Sequence, residues 1–359
     1  MPLPSRRSFL EKALATVAAA PLIPGALSAR ETSKRGPSEL IRVGVMGVRG
    51  RGRAHINAFK SSPDAKVVAI CDPDEAVIAP AMKAVPEARY YKDIRKMLES
   101  DDIDAISIAA PNHWHSLATI WALQAGKHVY VEKPISHDIY EGRQVVAAAA
   151  KYGKVVQHGT QSRSSKATRD AIAWLHEGGL GKIELAHGLC YKRRGSIGKV
   201  DSAQRIPESM DFDLWTGPSK LEPLMRRQLH YDWHWLFNTG NGDMGNQGVH
   251  QMDIARWGLN KNHHPESVVS IGGRVGYDDD GDTPNSLLTL FDYGDQKLLF
   301  ETRGLKTPSH MGVGIGVIFH CEKGYLVSAS YESLEAFDLD GNEVRTFKGG
   351  GNHFQVFLD

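Results

Sequence analysis

Between Leu40 and Gly159 the chain alternates short apolar runs with amphipathic stretches of helical period, joined by connections of only a few residues. Leu40 to Met46, Ala65 to Cys71, Ile103 to Ala110, Val129 to Val131 and Val155 to Gly159 read as strands. Arg53 to Ser61, Asp74 to Val85, Asp93 to Glu99, Ser116 to Ala125 and Tyr140 to Tyr152 read as the helices between them. Strands separated by helices pair in parallel, and a parallel sheet needs cover on both faces. This half of the chain therefore predicts a doubly wound α/β domain of Rossmann type, over about residues 40–160.

From Ile183 the texture changes. Runs such as IELAHGLCYK, NSLLTLFDY, QKLLFETRG and GVGIGVIFHC follow one another, several alternating with period two and joined by turns such as Gly294-Asp295 and Gly341-Asn342. Residues 161–359 thus predict an α+β domain built on a largely antiparallel open sheet, helices covering one face. Two stretches interrupt it. Arg193 to Trp235 is rich in Arg, Pro, His and Trp without a period, and loops of that length are usually functional. Gly240 to Trp257 is glycine-rich and then helical, with Asn246, His250 and Asp253 spaced along one helix face.

Ligands of open α/β sheets bind beyond the carboxyl ends of the strands, so the residues there carry the functional reading. The first strand runs into Gly47, Arg49, Gly50, Arg51 and Gly52 and then a helix, the arrangement in which glycines admit a pyrophosphate to an uncapped helix N-terminus. Arg49 stands where the middle glycine of GxGxxG belongs. Asp72 ends the second strand, placed to bind the adenosine ribose hydroxyls. An acid there disfavours the additional phosphate of NADP, whereas Arg49, Arg51 and Arg53 offset that repulsion; NAD and NADP both remain open, with NAD preferred. Pro111, Asn112 and His115 follow the next strand and either border the nicotinamide half of the cofactor or serve as a helix cap and surface residues. Glu132 and Lys133 end the fourth, either as cofactor contact and catalytic cation or as a solvated turn. His250 is the proton-accepting candidate and Asn246 its neighbour, against the alternative of a structural histidine. Arg163, Tyr191 and Trp235 are candidate substrate contacts, Trp235 alternatively a core residue.

Composition narrows the partner. Lysine and arginine total 43 against 42 aspartates and glutamates in 359 residues, so no net field favours nucleic acid, and no run reaches membrane-spanning length. Cys71, Cys190 and Cys321 are too scattered for a zinc or redox pair, and no metal site is expected. A small molecule remains. The N-terminus is a separate matter: Arg6-Arg7-Ser8-Phe9-Leu10, an alanine-rich segment and small residues near Ala26 to Ala29 predict a twin-arginine export signal over 1–29. A polar linker over 30–39 follows, and the mature protein is expected in the periplasm or outside the cell, with no stable membrane anchor.

The glycine turn, PNHWH, EKP and GNQGVHQMD, in this order, resemble the glucose-fructose oxidoreductase, inositol dehydrogenase and MocA (Gfo/Idh/MocA) family from about Leu40 onward. The resemblance implies an NAD(P)-dependent oxidoreductase for sugars or polyols, with Lys133, Asn246 and His250 catalytic and a cis peptide before Pro134. It also implies a homo-oligomer through the C-terminal sheet. Asn246 departs from an aspartate that many relatives carry. An exported enzyme meets little free NAD, so the expectation is a tightly held cofactor, used either between two sugars or within one, as in redox-neutral glycoside cleavage. A secreted carbohydrate-binding or regulatory protein that has lost turnover is the other alternative. The last nine residues read as an amphipathic helix beyond which relatives continue, which leaves open that the chain is a fragment.

Overall fold

The computed structural model describes residues 39–328 and 330–359, so the expected export signal and most of the linker lie outside the described residues. Six strands form the first sheet: β1 (Ile41–Met46), β2 (Ala65–Cys71), β3 (Arg89–Tyr91), β4 (Ala105–Ile108), β5 (His128–Val131) and β6 (Val156–His158). Their order is β3-β2-β1-β4-β5-β6 and every pairing is parallel. Winding reverses between β1 and β4, which opens a crevice at their carboxyl ends. Alternate side chains explain the two covered faces. Val43 and Val45 pack with Ile56 and Phe59 on one side, while Met46, Ile106 and Ile108 pack with Met97, Ala118 and Leu123 on the other.

The second sheet holds β7 (Ile183–Cys190), β8 (Ser267–Gly273), β9 (Ser286–Asp292), β10 (Lys297–Arg303), β11 (Ile315–Cys321), β12 (Gly324–Ser328), β13 (Ser333–Asp338) and β14 (Glu343–Lys348). The order is β14-β13-β12-β11-β7-β10-β9-β8, antiparallel except where β10 meets β7. Helices Lys166–His176 and Val249–Gly258 cover one face through Ala171, Ile172, Ile254 and Ala255 against Ala186, Phe300 and Phe319. A parallel sheet wound with helices and a mostly antiparallel sheet covered on one side match the fold expected from periodicity.

Local boundaries differ in instructive ways. The expected helix over Asp74 to Val85 is a 3-10 turn, Glu75–Val77, followed by Ile78–Ala84, because Asp74 caps the Ala76 N–H and starts the chain tightly. The edge strand β3 was not anticipated from its three residues. The helix expected from Ser116 begins at Asn112, directly after Pro111.

Two segments tie the domains together. The long loop after β7 straps across the crevice: Glu75 N–H donates to the Ser209 carbonyl at 2.9 Å, Asp211 N–H to the Pro73 carbonyl at 3.0 Å, and Trp114 Nε1 to the Trp215 carbonyl at 2.9 Å. His230 Nε2 lies 2.7 Å from Asp74 Oδ2. The helix His353–Leu358 returns to the first domain, where Phe354 stacks on Tyr130 at 4.8 Å and meets His55 and Phe59 edge-on.

Candidate active site

The crevice begins at the glycine turn. Gly47 has φ 80° and donates its N–H to the Cys71 carbonyl at 2.8 Å; a Cβ on it would lie 2.7 Å from the backbone of Ala109 and Ala110. A Cβ on Gly52 would lie 1.7 Å from the Gly47 carbonyl oxygen, so only glycine lets helix Arg51–Ser61 start this close to the strand. Gly50 takes φ 56°, whereas Arg49 keeps a negative φ, which is why the loop accepts an arginine where a glycine is usual. The helix has neither a side-chain cap nor an acid in its first turn, leaving its N–H groups for an anion. These features fit a dinucleotide.

Asp72 accepts from the Val48 N–H at 3.0 Å and the Asp74 N–H at 3.1 Å, so it fixes the turn from below as well as facing the crevice. Burial raises its pKa against those two bonds. A cavity of about 290 Å³ runs from Gly47, Arg49, Gly50 and Arg51 past Asp72 and Pro111 to Trp215, Tyr231, Trp233 and His234 of the strap. A larger one, about 710 Å³, opens at the opposite ends of the strands beside Arg42, Arg89 and Asp102, whose charges pair with acids and bases there, away from the glycine turn.

At the end of β5 the Lys133–Pro134 peptide is cis. Glu132 is 5% exposed and accepts from Arg51 Nε at 2.7 Å, His55 Nε2 at 3.1 Å and Gln161 Nε2 at 3.0 Å. Burial alone would raise its pKa, but the His55 bond and the Arg51 charge hold it far below the usual carboxylate range. Burial lowers His55, so that ring is neutral, donating from Nε2 to Glu132 and accepting from the Ser107 hydroxyl on Nδ1 at 2.7 Å. Arg51 and Glu132 thus brace the glycine-turn helix against the lysine corner. Glu132→Ala strands the fully buried His55 N–H and is expected to cost about 2–4 kcal/mol in urea unfolding, with Glu132→Gln milder; equal stability of Glu132→Ala and parent would remove the brace.

Lys133 Nζ donates to the Asn246 backbone carbonyl and, at 3.1 Å, to Asn246 Oδ1. Burial pushes the ammonium pKa down, Arg51 and Arg194 add to that, and Glu132 and Asp243 oppose it. Asn246 lies in a single π-helical turn, Met244–Gly248, ahead of helix Val249–Gly258, rather than in the continuous helix its spacing predicted. Its Nδ2 faces Asp243 Oδ1 at 3.5 Å, and Asp243 is held by Arg194 through bonds of 2.9 and 2.7 Å. An amide suits this place, since an aspartate would confront the buried Asp243 carboxylate. His250 is 8% exposed, its Nδ1 buried without a partner, and its pKa is lowered to about 4 by burial first and the Lys133 charge second. Lys133, Asn246 and His250 therefore come together.

The remaining candidates are placed otherwise. Asn112 donates to Asn241 Oδ1 at 2.9 Å, linking the domains. His115 is 1% exposed with Nδ1 2.5 Å from the Pro134 carbonyl and Nε2 2.7 Å from the Ala110 carbonyl; it braces the lysine corner and turns no nitrogen to a ligand. Arg163 forms a bidentate pair with Asp253, both bonds 2.8 Å, and covers Trp257. The Tyr191 hydroxyl donates to Glu301 within a cluster with His187 and Arg303. Trp235 is buried under Arg194. None of these last three lines the cavity, which takes Trp233 and His234 instead. Their neighbourhood in the aromatic DWHW run was legible; which rings face inward was not. Among the described residues no group of three His, Cys, Asp or Glu is placed to hold a metal ion.

Comparison with known proteins follows the two sheets. Residues 41–160 match the GFO_IDH_MocA family model, oxidoreductase family, NAD-binding Rossmann fold, and residues 181–300 match its C-terminal alpha/beta domain. The chain is 36% identical over 160 residues to glycosyl hydrolase family 109 protein 2 of Shewanella sp. (strain ANA-3), which covers 38% of this chain and 35% of that protein. It is 29% identical over 191 residues to inositol 2-dehydrogenase of Corynebacterium glutamicum (strain R), covering 51% of this chain and 56% of that one. The match thus spans about a third of the first relative's length and about half of the second's. Among solved structures, levoglucosan dehydrogenase in complex with NADH superposes with a TM-score of 0.65 at 18% identity, covering 86% of this chain and 80% of that one. The WlbA dehydrogenase of Bordetella pertussis in complex with NADH and UDP-GlcNAcA gives 0.64 at 19%, covering 89% and 80%. At such identities these structures speak for the fold.

Proposed function

Because the chain belongs to the Gfo/Idh/MocA oxidoreductase family, which both of its domains match, we propose that it transfers hydride at a hydroxyl-bearing carbon of a sugar or polyol, with NAD, or alternatively NADP, retained in the crevice. The observation that carries this reading is the convergence of Lys133, Asn246 and His250 next to a glycine turn shaped for a pyrophosphate. Gly47, Gly50, Gly52 and the helix N-terminus would hold the pyrophosphate, Asp72 the adenosine ribose, and Pro111 the nicotinamide side. A bound nicotinamide supplies hydride chemistry that no side chain offers.

The protein's own contribution is position and charge. Lys133, aimed by Asn246, donates to the substrate oxygen as negative charge grows on it, and its lowered pKa strengthens that bond. His250 is neutral at pH 7 and accepts the proton. With its pKa at about 4 rather than the ordinary 6.5, kcat/KM should stay level as pH falls from neutrality and drop only on approach to about 4. An acid limb centred near the ordinary histidine value would take His250 out of this role.

A second form of the same chemistry is redox-neutral glycoside cleavage, favoured by the strap that fastens to Pro73, Asp74, Glu75 and Trp114 over the crevice and would slow cofactor escape. The glycosyl hydrolase name of a relative points the same way. Intact Lys133 and His250 weigh against a non-catalytic carbohydrate-binding protein. The reading extends to twin-arginine export of a folded, loaded protein and to a homo-oligomer. Val269, Ile271 and Leu288 support the latter, exposed by 63%, 72% and 40% on the second sheet. The test is direct: protein purified from its native compartment is denatured and assayed for released nicotinamide, and the intact protein is mixed with sugars, polyols and glycosides while nicotinamide absorbance is followed. Absence of retained cofactor, together with no absorbance change on adding NAD or NADP, would sink the proposal.

A further inference from the structure

One imidazole on the strap is not used by the site described above. His234 lines the cavity and stacks on Trp233, ring centroids 3.6 Å apart at 20°. Its Nδ1 lies 2.6 Å from the Tyr231 carbonyl oxygen. A carbonyl only accepts, so Nδ1 carries the hydrogen and Nε2 keeps the lone pair. Burial holds this ring's pKa at about 4, and Lys133 and Arg194 push the same way against Asp243. His250 is likewise held neutral, yet the charges acting on it besides Lys133 are Glu132, His158 and Asp253. Lys133 is the charge the two rings share. One approaches the ammonium from the strap and the other from helix Val249–Gly258, so the site offers two neutral acceptors beside one cation.

We propose that His234 is a second proton acceptor of this site and removes the proton from the sugar carbon next to the oxidised one. The proposal rests on the redox reading of Lys133 and deepens its glycoside-cleaving form. Oxidation of a CH–OH group to C=O releases one proton besides the hydride, and His250 suffices for that. Once the carbonyl exists, the neighbouring C–H bond can break: its electron pair moves into an enolate whose oxygen Lys133 stabilises, and the proton passes to His234 Nε2. The enolate pair then expels the oxygen substituent on the following carbon, which leaves with its bonding electrons and takes up a proton. Addition of water, return of the carbon-bound proton and reduction of the carbonyl complete a hydrolysis with no net redox change. The substrate class is a glycoside with a free hydroxyl two carbons from the anomeric centre.

The experiment bypasses the redox step. A glycoside already bearing a ketone at that position is incubated with the full-length protein in deuterium oxide, and deuterium entering the intervening carbon is followed by NMR. The unaltered protein should introduce it. His234→Asn and His234→Gln, checked by circular dichroism for folding, should slow exchange by about 100-fold. That loss should exceed, by about tenfold or more, any loss of nicotinamide reduction by the parent glycoside. His250→Asn should show the opposite bias. No exchange in the unaltered protein, exchange at the parent rate in both His234 variants, or equal loss of exchange and reduction overturns the proposal. Failure of the redox reading shows separately, as absence of nicotinamide reduction in the unaltered protein.

Discussion

Lys133→Met should lower turnover by about 10³-fold while leaving the melting temperature within a few degrees of the parent's. The reasoning separates charge from shape. Methionine keeps an unbranched apolar stem in the corner after β5 but removes the only positive charge donated to Asn246 Oδ1 and its backbone carbonyl. Those acceptors lose a partner, at about 1 kcal/mol, and against this the protein no longer buries an ammonium whose pKa burial already depresses. Stability is therefore nearly balanced, whereas nothing replaces the donor to a developing alkoxide. Stopped-flow nicotinamide absorbance at saturating substrate, beside a thermal melt, checks both halves. Turnover within about tenfold of the parent's would remove the lysine from the mechanism.

Gly52→Ala should weaken NAD binding by at least about 100-fold, or ~2.7 kcal/mol, measured by calorimetry on protein stripped of cofactor. Its Cβ would fall 1.7 Å from the Gly47 carbonyl oxygen, a backbone atom that cannot swing aside, so the helix start must move from the strand and the row of N–H groups moves with it. Gly50→Ala is the internal control. A Cβ there meets nothing within 4 Å, and its only penalty is φ 56°, about 1 kcal/mol for a non-glycine residue. If both variants bind NAD alike, the closeness of Gly52 to Gly47 is not what shapes the pocket.

Both predictions concern residues visible in the sequence, because glycine before a helix and a charged corner after VYV are local signals. The tertiary residues were less visible. Glu132 and Arg51 looked like cofactor contacts, yet they meet each other across 81 positions of sequence and with His55 lock two elements together. His115 stood in a motif that suggested a ligand but closes both nitrogens on carbonyls. Arg163 and Tyr191 were chosen for chemical type, and each found an acid partner: Asp253 for one, Glu301 for the other. A polar side chain reveals in sequence what it can donate or accept, never which distant group arrives to satisfy it.

Periodicity, glycine placement and strand-helix alternation determined by themselves that this chain winds a parallel sheet, carries a phosphate-sized turn and appends a mostly antiparallel sheet, because backbone hydrogen bonding and alternate burial act over neighbouring residues. The tertiary structure alone decided that the strap lies over the crevice, that His234 rather than Trp235 faces it, and that Asn246 meets both Lys133 and Asp243. Those outcomes depend on how two packed layers dock and which buried charges they bring within a few ångströms. The energies that select such a docking come from desolvation and long-range pairing, which no local window of residues contains.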